Sequence, residues 1–343
     1  MKKIPMSYYM NVEDLPVVAA SKEGFFREAG IEIMPFFERP SSRRVAALAD
    51  GTIKFATGIG NRVTRVINPN AYSPEERADF KVVCVTMFFE QVPLASHPNF
   101  NSLEDLFNFK SITGKKAKVS INGFNCVDHL ILEKRFIDAG YGIDKIREAI
   151  EFIEIPSSKG RVAAMLERPF GCLLDAGLLH SPYSFVANKV GFKTLLKEDQ
   201  ERQPFYLTPQ KGLVVTSGYL KENPAEVEEV MRVIFRALDW INLQPASVLK
   251  KKIIEWFEYG KLAEKANEDY MNIHGTAADQ PFSADIISNY AHDYMMGRWN
   301  LSGVAPRESM ALMSKLMTIS GVPPEPELFT DFSIAEKIRL EKN

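Results

Sequence analysis

Residues Pro16–Asn61 read PVVAASKEGFFREAGIEIMPFFERPSSRRVAALADGTIKFATGIGN. The punctuation of this stretch predicts helix, strand, helix, strand, and then a Thr-Gly-Ile-Gly turn opening another helix. Gly30 stands where a helix C-cap wants positive φ, and Ile31–Phe36 is an apolar run of strand length. Ser41 or Ser42 caps the Arg-Arg-Val-Ala-Ala-Leu-Ala segment, which closes at Asp50-Gly51. Ile53–Ala56 is the next strand, and Ile4–Tyr9 precedes the whole stretch as the first. Strands alternating with helices at this spacing predict right-handed crossovers in a mostly parallel sheet. On such sheets ligands sit outside the carboxyl ends of the strands. Tyr8, Tyr9 and Asn11 are therefore the first candidates, together with Thr57, Gly58, Gly60 and Asn61.

The bulk numbers narrow the function. A chain of 343 residues is long for one core and comfortable for two lobes. It is 45% hydrophobic and 25% charged, as ordinary globular proteins are. A net charge of −2 leaves no basic excess to neutralise phosphates, which argues against a nucleic-acid partner. No apolar run approaches the roughly 18 residues that span a bilayer. MKKIPMSYYMN has no apolar h-region, so the expected location is extracytoplasmic if a signal was removed and cytoplasmic otherwise. The cysteines Cys84, Cys126 and Cys172 are odd in number and form no paired framework; Cys84 and Cys172 lie in apolar runs and read as small buried hydrophobes.

Further along, Lys81–Phe89 reads as a strand, and the extended segment through Pro93 and Pro98 suits a crossing between lobes. Ala117–Ile121 is a strand that ends in Asn122-Gly123-Phe124-Asn125-Cys126, a tight turn opening a helix. Ala149–Ile155 and Gly171–Leu174 are further strands, the latter ending at Asp175. Gly212–Thr216 reads as a returning strand. Asn223, Pro224 and Glu226 then open a long helix whose apolar stripe runs from Val227 to Ile241. Beyond Pro245 the pattern is helical throughout.

Five segments, in this order, carry a family resemblance: PVVAASKEGFFREAGIEI, ALADGTIKFATG, GKKAKVSINGFNCVDHLILEKRFIDAGYGIDKI, RVAAMLERPFGCLLDAG and PAEVEEVMRVIFRALDWI. The chain resembles the solute-binding proteins of ABC importers for alkanesulfonates, taurine, nitrate and thiamine pyrimidine precursors. That resemblance implies a type II periplasmic-binding fold, an α/β chain of two lobes with mostly parallel sheets flanked by helices. A ligand would be clamped between the lobes and passed to an ABC permease. The expected division is 1–94 with 213–343 as lobe I and 95–212 as lobe II, in a monomer without cofactor or metal.

Two helix starts, Gly58–Asn61 and Gly123–Cys126, offer backbone N–H groups to an acceptor. They are equally the strand-to-helix turns that any α/β fold needs. Tyr8, Tyr9, Phe88, Phe89 and Phe124 suit a flat ring, although on a strand one of each adjacent pair must face the core. Glu90 and Asp175 would receive a donor on the ligand, while Asp175 serves equally well as a turn cap. Cationic side chains look sparse, with Arg62 free to point outward, so a planar, thiamine-pyrimidine-like ring is expected before an inorganic oxyanion. The alternative is a cytoplasmic enzyme, as the resembled fold also hosts desulfinases and a fungal pyrimidine synthase. Cys126 at a helix start and His129 on the same helical face would be its nucleophile and base.

Overall fold

The computed structural model describes residues 1–37, 41–88, 94–96, 99–155, 157–166, 174–180, 182–196, 209–274, 281–295 and 298–342. The chain forms two units: Met1–Glu90, Pro204–Leu249 and Met295–Asn343 make the first, and Gln91–Gln203 with Lys250–Tyr294 the second.

Unit 1 is built on five strands: β1 (Lys2–Ser7), β2 (Ile31–Pro35), β3 (Phe55–Gly58), β4 (Phe80–Phe88) and, returning late in the chain, the strand Pro209–Thr216. The intervening strands belong to unit 2: β5 (Leu94–Ser96), β6 (Ala117–Ile121), β7 (Ile150–Glu154), β8 (Ala176–Leu178) and β9 (Lys193–Leu196), so that Pro209–Thr216 is β10. The first sheet has the order β2-β1-β3-β10-β4. β1 pairs in parallel with β2 and β3, and β10 opposes both β3 and β4. Val82–Val85 in β4 is fully buried, as a strand covered on both faces must be. The Pro224–Leu243 helix buries Val227, Val230, Met231, Ile234, Leu238 and Ile241 at the expected spacing. It packs on the Leu15–Lys22 helix, whose inner face is the small and branched run Val17–Ala20. Asn223 is its N-cap without a side-chain cap bond, and the Asn223 amide instead donates to the Tyr219 carbonyl. Gly30 takes φ +73° as the C-cap pattern requires. At Gly212 a Cβ would lie 1.9 Å from the Cys84 carbonyl oxygen, so the bulged β10–β4 ladder closes only around glycine.

Unit 2 repeats the plan. Its sheet has the order β7-β6-β8-β5-β9, with β6 parallel to β7 and β8 and with β5 opposing β8 and β9. In each sheet one reversed strand, β10 or β5, stands fourth in the order. Ser102 and Asp105 form a capping box at the start of the Leu103–Thr113 helix, which seats Phe107 against Phe136 and Tyr141.

The boundaries depart from expectation in one large respect. Residues 250–294, expected in the first lobe, pack with unit 2. Rings decide this placement: Phe185, on the Tyr183–Lys189 helix, meets Phe282 and stacks on Tyr290, and Tyr270 meets Phe282. Strand ends also shift. β1 stops at Ser7, which frees Tyr8 and Tyr9 from the pleat, and β10 starts at Pro209 rather than Gly212. The expected strand Gly171–Leu174 falls mostly outside the described residues, and the described strand there is β8. Among the described residues no helix is long and apolar enough to cross a membrane, and no group of three His, Cys, Asp or Glu side chains could hold a metal ion.

Candidate functional site

In unit 1 the polar side chains collect at the carboxyl edge of the sheet. β1 runs into Tyr8 and Tyr9, and a short 3-10 turn, Val12–Asp14, then delivers Glu13 and Asp14. β2 leads to the Ser41–Ala49 helix, which carries Arg44 in its first turn. β3 ends at Gly58 and the Gly60–Ile67 helix supplies Arg62. β10 runs the other way, so its beginning reaches the same edge, and Lys211 lies opposite Gly58.

These groups surround Tyr9. The Arg44 guanidinium donates to the Tyr9 hydroxyl and lies 4.1 Å from the ring centroid. The Lys211 ammonium is 4.3 Å from the same centroid. Lys211 is also paired with Glu13 at 3.1 Å and Asp14 at 3.4 Å, and Asp14 accepts the Tyr9 amide at 2.6 Å. Burial by itself would raise the Tyr9 phenol, but Arg44, Arg62 and Lys211 together bring it below its ordinary value. Burial raises the Asp14 carboxyl, against the opposing pull of Lys211 and the Tyr9 amide. Arg62 is wholly buried, which brings its guanidinium down to about 10. Its Nη1 donates to the Gly58 carbonyl at 3.2 Å, and its Nε and Nη2 meet no acceptor.

The scarcity of cations expected from the sequence is therefore wrong for this edge. Arg62, the third residue of the helix that follows β3, is wholly buried. Lys211 escaped notice because Pro209 and Gln210 did not read as strand.

Unit 2 fills the matching edge differently. Arg161, in the first turn of the Ser158–Leu166 helix, is buried and donates to the Leu178 carbonyl at 2.6 Å. Its Nη1 lies 3.8 Å from Asp128, and the same carboxylate is 3.2 Å from Nε2 of His180. The His180 amide donates to Ser158 at 3.2 Å. Asp128, Arg161 and His180 were legible only as members of helices and a strand end, with no spacing to link them.

Several expected site residues have other duties. Asp175 precedes β8 instead of ending a strand, so it lies at the amino edge, where its carboxylate accepts the Lys118 amide at 2.8 Å. It thus caps a neighbouring strand, neither receiving a ligand donor at a strand's carboxyl end nor capping the turn that follows it. The turn at Gly123–Cys126 does not present free amides. Phe124 N–H donates to Glu154 at 2.6 Å, and Asn125, at φ +55°, donates to Nδ1 of His129 at 3.1 Å. Cys126 N–H goes to the Gly123 carbonyl. At Gly58–Asn61 the Ile59 amide is taken by Gln210, while Gly60 and Asn61 are buried in the first helical turn. Thr57 is buried and Gly58 half-buried at the end of β3. Tyr8 is buried with its ring edge-on to Phe37, and Asn11 reaches Glu13. Phe88 and Asn122 are half-buried, and Phe124 is 52% exposed. Phe89 and Glu90 lie outside the described residues, as does Cys172.

The proposed nucleophile and base are not poised for chemistry. Burial pushes the Cys126 thiol up to about 12, with nearby Asp128 adding to the effect. Nδ1 of His129 is occupied by the Asn125 amide, and burial lowers the ring to about 4. Cys84, the other described cysteine, is a buried strand residue as expected.

No family model matches the sequence, and no curated protein matches it. Solved structures do. A protein from Bordetella bronchiseptica RB50 superposes with a TM-score of 0.72 at 14% identity, covering 100% of this chain and 98% of that one. The ligand-binding component of an ABC-type import system from Staphylococcus aureus, solved with zinc bound, gives 0.62 at 13% identity, covering 98% and 99%. The periplasmic aliphatic sulphonate binding protein SsuA from Escherichia coli gives 0.55 at 15%, covering 92% and 86%. At such identities the likeness establishes the fold, that of the two-lobed periplasmic binding proteins.

Proposed function

We propose that this chain is a solute-binding protein that captures a small organic molecule and passes it to the permease of an ABC-type importer, on the extracytoplasmic face of a membrane. The observation that carries the reading is the gathering of Tyr9, Arg44, Arg62 and Lys211 at the carboxyl edge of a doubly wound sheet, where open α/β folds take ligands. The fold shared with ligand-binding components of import systems supports it. Phe37, 47% exposed and packed edge-on to the buried Tyr8, offers a ring surface, so a ring-bearing solute stays part of the proposal. A thiamine-type pyrimidine is a weaker case than the sequence suggested, because Asp175 is committed to the opposite edge of its sheet. The expected behaviour is reversible binding without turnover by a monomer.

A thermal-shift screen over pyrimidines, aromatic carboxylates, sulfonates and nitrate tests this reading, because a ligand of the native state raises the melting temperature. Stabilisation by one class, with the compound recovered unchanged, is the expected result. Conversion of any of these compounds, abolished by Cys126→Ala, would contradict it.

A further inference from the structure

We propose that Tyr9 acts as an acid in the solute-free protein, shedding its phenolic proton so that the phenolate becomes the counterion of Arg44 and Arg62. A single proton on this side chain then sets the charge of the edge. The inference concerns the protein without its solute and goes beyond the solute-binding reading.

Hydrogen-bond direction is the first ground for it. The Arg44 guanidinium donates to the Tyr9 oxygen, and among the described residues no acceptor takes the phenol's own hydrogen. An oxygen that receives a cationic donor and has no protein acceptor for its proton suits the ionised form, because charge-assisted hydrogen bonds are the stronger ones. The ring favours that form too. Arg44 lies 4.1 Å and the Lys211 ammonium 4.3 Å from its centroid, and phenolate charge spreads into the ring that they face.

The charge count points the same way. With a neutral phenol, three cations, Arg44, Arg62 and Lys211, meet two carboxylates, Glu13 and Asp14. Both acids pair with Lys211, and no carboxylate lies within ion-pair distance of either arginine among the described residues. Arg65, on the same helix as Arg62, does have one, Glu76 at 2.8 Å. Arg62 is wholly buried, and its Nε and Nη2 meet no acceptor. A buried cation without an anion is costly. Ionising Tyr9 balances the charges with no added molecule.

The charged groups around the phenol come from every element that borders it. Arg44 belongs to the Ser41–Ala49 helix, Arg62 to the Gly60–Ile67 helix, Lys211 to β10, and Glu13 and Asp14 to the Val12–Asp14 turn. Burial and the Asp14 carboxylate hold the proton on, and the three cations outweigh them.

The test is an ultraviolet titration of the solute-free chain from about pH 6 to about pH 11, which brackets the ordinary phenol value of about 10 and reads tyrosinate by its absorbance. Of the 11 tyrosines, one should ionise about one unit or more below that value. Tyr9→Phe should remove this early step and leave the later ones. Arg62→Met should move the step up by about one unit or more, and Arg62→Lys, which keeps the charge, should restore part of the shift. Near neutral pH, Arg62→Met should keep the wild-type melting temperature, since the phenol takes its proton back as the guanidinium goes. Between the lowered value and about 10, the unfolded chain still binds a proton that the folded chain has shed. The wild type should therefore gain stability over Tyr9→Phe as pH rises through that window, and lose the gain as pH falls. Titrations of wild type and Tyr9→Phe that differ only by one ordinary tyrosine near the top of the range would overturn the proposal. If Tyr9→Phe fails to fold, an Arg62→Met titration that superposes on the wild type overturns it instead. Neither result bears on solute binding, which the thermal-shift screen decides.

Discussion

Arg44 and Arg161 occupy the same topological position in the two units. Each is the fourth residue of the helix that follows the edge strand, β2 in one sheet and β7 in the other, and each is 2% exposed. Their surroundings differ in kind. Arg161 closes on Asp128 and the Leu178 carbonyl within its own unit. Arg44 meets a phenol and a second arginine that it repels. Two edges of the same design have thus been finished differently, one balanced from within and the other left with surplus positive charge. The difference is one of charge, since Nε of Arg161 also meets no acceptor: a buried cation with its own carboxylate is architecture, whereas a buried surplus of positive charge asks for a partner.

Substitutions can break this contrast, and the largest effect belongs to Lys211. Lys211→Met strips Glu13 and Asp14 of their cation while both side chains are nearly sealed from water. A loss of about 3–5 kcal/mol in denaturant unfolding is expected. Part of it should be recovered on mild acidification, as Asp14, whose carboxyl burial already raises, takes up a proton. Arg161→Met should destabilise by a comparable or slightly smaller amount, about 3 kcal/mol, because Asp128 keeps His180 as a neighbour. Arg161→Met falling and Arg62→Met holding steady would be the contrast in its plainest form. Equal losses in both would erase it.

A pH series sharpens the account of unit 2. His129 is ordinarily protonated below about 6.5, but in the fold burial lowers it to about 4. Between those values the unfolded chain binds the extra proton, so stability falls as pH drops through that window and rises as pH climbs. The loss amounts to at most about 3 kcal/mol. His129→Asn, which can still accept the Asn125 amide and does not titrate, should flatten this dependence. A slope that persists in the variant would assign the acid sensitivity to other groups. Smallest is Asp175→Ala, which should cost about 1–2 kcal/mol through the lost Lys118 amide bond and leave ligand affinity unchanged.

Much of the architecture was legible because it is written in local periodicity. The alternation in Pro16–Asn61 predicted β2, β3 and their helices, and the stripe from Val227 to Ile241 predicted the long helix. What escaped depended on distant rings and on strand ends. Nothing local in residues 250–294 announces that Phe282 and Tyr290 belong with Phe185. Tyr8, Tyr9, Thr57 and Gly58 do lie at the carboxyl ends of β1 and β3, where the sheet rule put them. Arg44 was seen only as part of a helix start and Arg62 as free to point outward, because helical spacing does not say which way a first-turn arginine turns. Lys211 had a usable signal, a lone lysine beside an apolar run, which goes unread if the strand is begun at Gly212. Asp175 shows the converse error, in which misplacing one strand end moved a carboxylate to the wrong edge of its sheet.

The most direct test of the central claim is hydrogen exchange, measured with and without the compound that stabilises the protein most. The account predicts that the largest gain in protection falls on residues 8–14 and 58–62. Little gain is expected at residues 123–129, where the amides of Phe124, Asn125 and Cys126 are already bonded. Protection concentrated at 123–129, with 8–14 and 58–62 unchanged, would contradict it.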